Sequence, residues 1–263
     1  MKVLRRLFVL PSILAVSILG LPASPAQAGP TPAISIKTKA VEVSVSIDDA
    51  IRERNDLKAD LLNEGKRWAD RARREADGEF KTSPDLFRDG RRWAQERDYA
   101  VTSVIAGRYV SILRTDYSFT GGAHPNTELE TLIWDEQAKK RISIRPFFSD
   151  LSDNSRAMMD IQKAIIASLT AEKKARGTWE PDNRDWMKAI EPSLLKIGAV
   201  VLEPSTEAGK SSGLTFHYSP YAVGAYAEGA YTAFVPWRAL RPHLSAEGLA
   251  IFGGDKPKEQ KKP

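Results

Sequence analysis

Between Ile34 and Ile47 apolar and polar residues alternate. Val41, Val43, Val45 and Ile47 fall on one side, with Glu42, Ser44 and Ser46 on the other. A period of two marks a half-buried strand, entered from a short Gly/Pro linker at residues 29–32. At Asp48-Asp49 the period changes. Either carboxylate can cap a helix by accepting N–H groups that the first turn leaves unbonded. The helix then runs to about Phe80, because Leu57, Leu61, Trp68, Ala72 and Ala76 recur at spacings of three, four and seven. Its opposite face is crowded with charge, Asp70 and Arg74 standing four apart, and reads as a solvated face held by weak ion pairs.

After a loop at Ser83-Pro84-Asp85 the pattern turns strand-like. Extended stretches are expected at Tyr99–Ile105, Tyr109–Phe119, Glu128–Trp134 and Arg141–Ile144. Ala106-Gly107-Arg108, Gly121-Gly122 and residues 135–140 supply the turns between them. Consecutive strands joined by short turns imply an antiparallel meander, and one helix covering it makes an α+β layer. A second mixture follows. Ser155–Lys174 reads as a helix carrying Met158, Ile161, Ile165 and Leu169 on one face, and Trp179–Pro192 as a loop or broken helix. Gly198–Leu202, Leu214–Tyr218 and Tyr231–Val235 read as strands, with an exposed loop at Ser205–Gly213 and a Gly/Ala/Tyr segment at Ser219–Gly229. The expected fold class is α+β, with two small subdomains, 29–140 and 141–245, each an antiparallel sheet packed by helices.

Composition changes the picture in two ways. The chain of 263 residues has no cysteine and three histidines, which excludes disulfides, thiolate metal sites and a cysteine nucleophile. Its first 28 residues have the form of an export signal: Lys2, Arg5 and Arg6, an apolar run from Leu7 to Leu21, then Ala26-Gln27-Ala28. The apolar run is shorter than a membrane span needs, so an exported protein, periplasmic or secreted, with no span after cleavage is expected. The formal charge of +5 shrinks accordingly. The signal holds three bases and no acids, and the segment 255–263 holds four lysines against Asp255 and Glu259. The body between is formally neutral, which removes the electrostatic case for nucleic-acid binding. Residues 246–263 read as a disordered basic tail.

Two segments are less generic. One is Tyr117-Ser118-Phe119-Thr120-Gly121-Gly122-Ala123-His124-Pro125-Asn126. The other runs from Phe216-His217-Tyr218-Ser219-Pro220-Tyr221 to Gly229, followed by Val235-Pro236-Trp237 and Leu240. In this order they resemble the two-part extracytoplasmic domain of RsiV-type anti-sigma factors and PdaC-type peptidoglycan deacetylases, over roughly residues 33–245. That resemblance implies a cell-envelope role, with peptidoglycan or a lysozyme-like protein as the partner. No transmembrane segment, sigma-binding segment or separate deacetylase domain accompanies the match, so neither signal transduction nor deacetylation is expected of this chain.

The candidate ligand-binding residues follow from these segments. Gly121 and Gly122 suit a hairpin needing positive φ. His124 and Asn126 project beside it with hydrogen-bonding tips, next to Tyr117. Tyr218 and Tyr221 belong to a tyrosine series, with Tyr226 and Tyr231, whose rings suit stacking on sugars. The competing reading gives the same residues to turn fixation and core edges. Trp68 and Trp134 fit core positions, and Trp179 and Trp186 an exposed platform. Glu180, Asp182 and Asp185 cluster but lack calcium-loop spacing. No metal, cofactor or catalytic motif is recognisable. The expected function is therefore an exported envelope binding module for a glycan or a protein. The alternatives are a glycan-processing enzyme, betrayed by paired carboxylates in a cleft, and a lysozyme inhibitor using a protruding 121–126 loop.

Overall fold

The computed structural model describes residues 31–258; the expected export signal lies outside them. A four-residue strand, β1 (Ile34–Lys37), pairs antiparallel with β2 (Val41–Ile47). Val41, Val43, Val45 and Ile47 are buried as their alternation requires. Asp48 is the residue that caps the next helix, its carboxylate accepting the Ala50 N–H at 2.9 Å. The expected single helix is two, α1 (Asp49–Arg52) and α2 (Asn55–Thr82). The break falls at Glu53–Arg54, where Arg54 leaves helical geometry with φ −106° and ψ 94°.

The buried face of α2 comprises Leu57, Leu61, Gly65, Ala69, Ala72 and Ala76. Small residues after the first two turns let the helix lie close on β2. A Cβ on Gly65 would stand 2.9 Å from a Val45 methyl carbon. Because α2 returns the chain to the opposite end of the sheet, β3 (Trp93–Ile105) pairs with β2 in parallel. The sheet is therefore mixed, not purely antiparallel as expected for the first subdomain, while the expected antiparallel meander is present from β3 onward. There β4 (Tyr109–Phe119), β5 (Asn126–Asp135) and β6 (Lys140–Ile142) follow in order, completing six strands.

Between α2 and this sheet lies a charged layer. Arg97 is only 5% exposed; it donates twice to Asp116 at 2.6 Å, once to Glu64 at 3.3 Å, and stacks its guanidinium over Trp68 at 4.6 Å. Charge is thus admitted to the interior only where paired and hydrogen-bonded.

The other face of the sheet meets the second half of the chain. α3 (Arg156–Arg176) is capped by the Ser155 hydroxyl, which accepts the Met158 N–H, and ends at Gly177 with φ 72°. It buries Met158, Ile161, Ile165 and Leu169 against β7 (Ala199–Pro204), β8 (Ser211–Tyr218) and β9 (Tyr231–Pro236), a three-stranded antiparallel sheet. The edge of β7 stands on the large sheet. Leu202 donates its N–H to Ser111 Oγ at 3.1 Å and accepts from Ser103 Oγ at 2.6 Å. Two serines thus satisfy an edge strand that would otherwise be left unpaired in the interior. The same core draws in Ile105, Tyr109 and Ile133 from the large sheet, so both sheets share it. The architecture is α+β, with two sheets and helices packed against them.

Two short helices, α4 (Trp237–Leu240) and α5 (Ala246–Ile251), close the fold. Residues 246–256 are not the expected disordered tail. Ser245 caps α5, Ile251 and Phe252 are buried, and Asp255 and Lys256 pair with Arg238 and Glu203. Burial of two apolar side chains is what the polar composition of the segment concealed. Ser205–Gly213 is likewise shorter as a loop than expected, since Ser211 and Ser212 are already buried in β8.

Candidate functional site

The loop between β4 and β5 is wider than a two-residue turn. Its first glycine, Gly121, takes φ +87°, and His124 and Pro125 bring the chain back to Asn126 at the head of β5. The β8–β9 connection, residues 219–230, folds over against it. Ser219 Oγ accepts the Leu129 N–H of β5 at 2.8 Å, and Tyr226 donates its hydroxyl to the Pro125 carbonyl at 2.9 Å. The two motif-bearing loops, about a hundred residues apart in sequence, are thereby one surface.

Three rings form that surface. The His124 imidazole stacks on Tyr226 with centroids 3.9 Å apart and planes at 21°, and Tyr221 lies 5.4 Å from Tyr226. His124 Nδ1 lies 2.9 Å from the Pro125 carbonyl, an acceptor only, so Nδ1 carries the proton. In the neutral ring Nε2 then accepts from the Tyr221 hydroxyl at 3.2 Å. Tyr221 is 60% exposed and holds φ +73°, a conformation a side chain disfavours. Such strain, about 1–3 kcal/mol, persists where surroundings enforce it and collects at functional sites.

The other sequence candidates are distributed around this cluster. Asn126 is exposed, its amide donating to Glu128 at 3.3 Å. Tyr117 is half-buried on β4, opposite Thr127 and Glu96. Gly122 adjoins Gly121 in the loop. Tyr218 is placed elsewhere: it is buried, and its hydroxyl donates to the Ile197 carbonyl at 2.6 Å. Burial drives its pKa well above the usual phenol value. Gly198 makes room for that ring, since a Cβ there would approach it to 2.9 Å. Trp186 is also buried and Trp179 half-buried, so neither forms the expected exposed platform. Asp185 pairs with Lys188 at 2.6 Å.

Sequence reasoning missed what lies under the same turn. Lys173 of α3 is 3% exposed and bonds Glu228 at 2.8 Å, with its ammonium 4.5 Å from the Tyr231 ring. Glu228 also accepts the Tyr231 hydroxyl at 2.6 Å and the Ala225 N–H at 2.7 Å. Burial alone would raise the Glu228 pKa, but bonds from Lys173, Tyr231 and Ala225 outweigh it and hold the carboxyl down to about 2. Glu228 is therefore ionised and saturated with donors at neutral pH, unsuited to a general acid. The signal that could have found the pair is weak: Lys173 follows Leu169 at helical spacing on the apolar face of α3.

A larger groove, about 590 Å³, runs along β5 and is lined by Leu129, Ile133, Ile142, Leu194 and Val200. β6 pairs with β5 only from Ile133 to Asp135. The Leu129 N–H points away from β4, as the pairing of Ile133 does, so by alternation Thr131 turns both backbone groups to this open side. Among the described residues Thr131 has no backbone partner on that side.

Comparison with known proteins places this arrangement. No curated protein matches the chain. Two solved structures share its fold with a TM-score of 0.50 and 15% identity. A DUF3298 family member from Bacteroides fragilis NCTC 9343 is matched over 73% of this chain and 71% of that one. A DUF3298 family protein from Pseudomonas aeruginosa PAO1 is matched over 83% and 90%. Residues 126–238 match the family described as "Protein of unknown function (DUF3298)", a segment that runs from β5 into α4 and contains the β8–β9 loop, Lys173 and Glu228. Through that segment the chain is similar to the DUF3298 family.

Proposed function

We propose that the protein is an exported binding module of the cell envelope that holds a peptidoglycan-type glycan against the His124–Tyr221–Tyr226 rings. One observation carries the reading: a solvent-facing tyrosine is held in a strained conformation at the junction of the two motif loops. Exposed aromatic faces stack on the apolar faces of sugar rings, while the Tyr221 hydroxyl and the Asn126 amide suit sugar hydroxyls. The leader-like N-terminus supports export, and the formally neutral body suits an uncharged ligand better than a strongly cationic protein. A saturated Glu228 favours binding over glycan hydrolysis. The test is a parallel pull-down of residues 29–263 with insoluble peptidoglycan and c-type lysozyme, with soluble products followed by mass spectrometry. Retention on peptidoglycan without product release is expected; release of sugar fragments would make the protein an enzyme instead.

A second reading has its own observation. The open edge of β5 at Thr131 beside an apolar groove suits an extended peptide added as a further strand. In that case the pull-down retains a protein partner, and a Thr131→Pro variant, which removes the edge N–H, loses it.

A further inference from the structure

We infer that the cavity between the head of β3 and the β4–β5 loop binds a small carboxylate with an aromatic or branched apolar body, its charge held by Arg92. The site is separate from the glycan platform and stands without it. Sheet register makes the cavity: Ala94 pairs with Phe119, which sets residues 119–121 beside Arg92 and Trp93. Trp93 is fixed in place, its N–H donating to the Ala40 carbonyl at 2.8 Å and its ring centroid 6.0 Å from that of the buried Phe87. The space measures about 280 Å³ and is bounded by Leu86, Arg91, Arg92, Trp93, Phe119 and Gly121, with the exposed Thr120. At about 30 Å³ per water in the liquid, it has room for about nine waters, enough for one small molecule.

The walls combine apolar surface with positive charge. Leu86 is 55% exposed, and Trp93 and Phe119 are half-buried, so each keeps surface that a ligand can cover. The Trp93 indole N–H is sealed, so the contact its ring offers is apolar. Of the lining residues only Arg91 and Arg92 ionise, and no carboxylate stands among them. Arg91 is loosely tied, 4.0 Å from Asp89. Arg92 is half-buried and, among the described residues, has neither an ion pair nor a hydrogen bond, while none of its nitrogens is sealed from solvent. By contrast, the partly buried Arg54, Arg97 and Arg114 each hold a carboxylate. Glu42 and Glu96 border Arg92 in a neighbouring cleft, but neither pairs with it, and Glu42 is taken by Lys37 at 3.2 Å. A partly desolvated guanidinium without a partner is a cost that a bound carboxylate removes, and its planar fork takes both carboxylate oxygens. An acid with a flat or branched apolar body meets both the charge and the walls.

The experiment is an NMR titration of the protein, read at the Trp93 indole resonance, with phenylacetate, its neutral isostere phenylacetamide, and acetate. The first two differ in charge at nearly constant shape, and the third keeps the charge without the ring. Phenylacetate is expected to saturate the site about tenfold or more tightly than either, as a charge-assisted bidentate bond on an apolar seat requires. Arg92→Gln, which breaks no ion pair, should weaken phenylacetate by about tenfold and leave phenylacetamide unchanged; Arg92→Lys, which keeps the charge without the fork, should fall between. Leu86→Ser, at an exposed position, tests the apolar wall and should weaken phenylacetate by about threefold. Equal binding of acid and amide, acid binding that Arg92→Gln leaves unchanged, or no saturable binding of phenylacetate would each overturn the site. None of these results bears on the glycan platform, whose own test is the pull-down on peptidoglycan.

Discussion

Replacing Glu228 by Gln removes one charge from a buried pair while nearly keeping its shape. Lys173, 3% exposed, then stands over the Tyr231 ring without a counter-ion. Two routes give the magnitude. A carboxyl lowered from 4.5 to about 2 by its surroundings represents about 3 kcal/mol of stability at neutral pH. Breaking a buried ion pair from one side costs about 3–5 kcal/mol. The sign follows from the lowered folded-state value. The contribution is complete above about pH 5 and fades as pH falls towards 2, where Glu228 takes up its proton even in the folded chain. Urea unfolding of wild type and Glu228→Gln at pH 7 and at pH 2.5 reads this directly. We expect about 3 kcal/mol less stability at pH 7 and a clearly smaller difference at pH 2.5. A difference below about 1 kcal/mol at pH 7, or one that does not change with pH, would refute the pairing as described.

Three further outcomes are expected. Tyr221→Gly relieves a positive φ on an exposed side chain, so its melting temperature should match or exceed that of wild type while glycan binding is lost; a lower melting temperature would show that Tyr221 is structural. Gly198→Ala pushes a methyl into the Tyr218 ring at a φ of +125°, and should lower stability by about 1–3 kcal/mol in urea unfolding, without effect if the ring can move aside. Asp116→Asn leaves Arg97 without its bidentate partner in the α2 layer and should cost about 3–5 kcal/mol in the same assay, where a loss under about 1 kcal/mol would contradict the burial of that pair.

How far the sequence announces this structure depends on the distance between the residues involved. The alternation of β2 and the helical spacing of α2 and α3 are local patterns, and the structure keeps them. The parallel pairing of β2 with β3 has no local signature, because it is set by where a 28-residue helix delivers the chain. The tyrosine series illustrates the same limit at the site. Tyr218 and Tyr221 stand three residues apart; one fills the space beside Gly198 and the other faces solvent at φ +73°. Only the strand end at Tyr218 and the left-handed turn after it separate their fates, and neither is written in the residue type. Lys173 reads as one of several basic residues closing a helix, and its partner is 55 positions away. His124 and Tyr226 become a stack only because the Pro125 carbonyl and Ser219 fasten two distant loops.

The central claim is that these two loops together hold a glycan, and the most direct test is a titration of soluble peptidoglycan fragments into wild type and Tyr221→Gly. We predict saturable binding to wild type and at least a tenfold weaker interaction in the variant, whose fold is verified by its melting temperature. Equal affinity for both proteins, or no binding to wild type, would contradict the account.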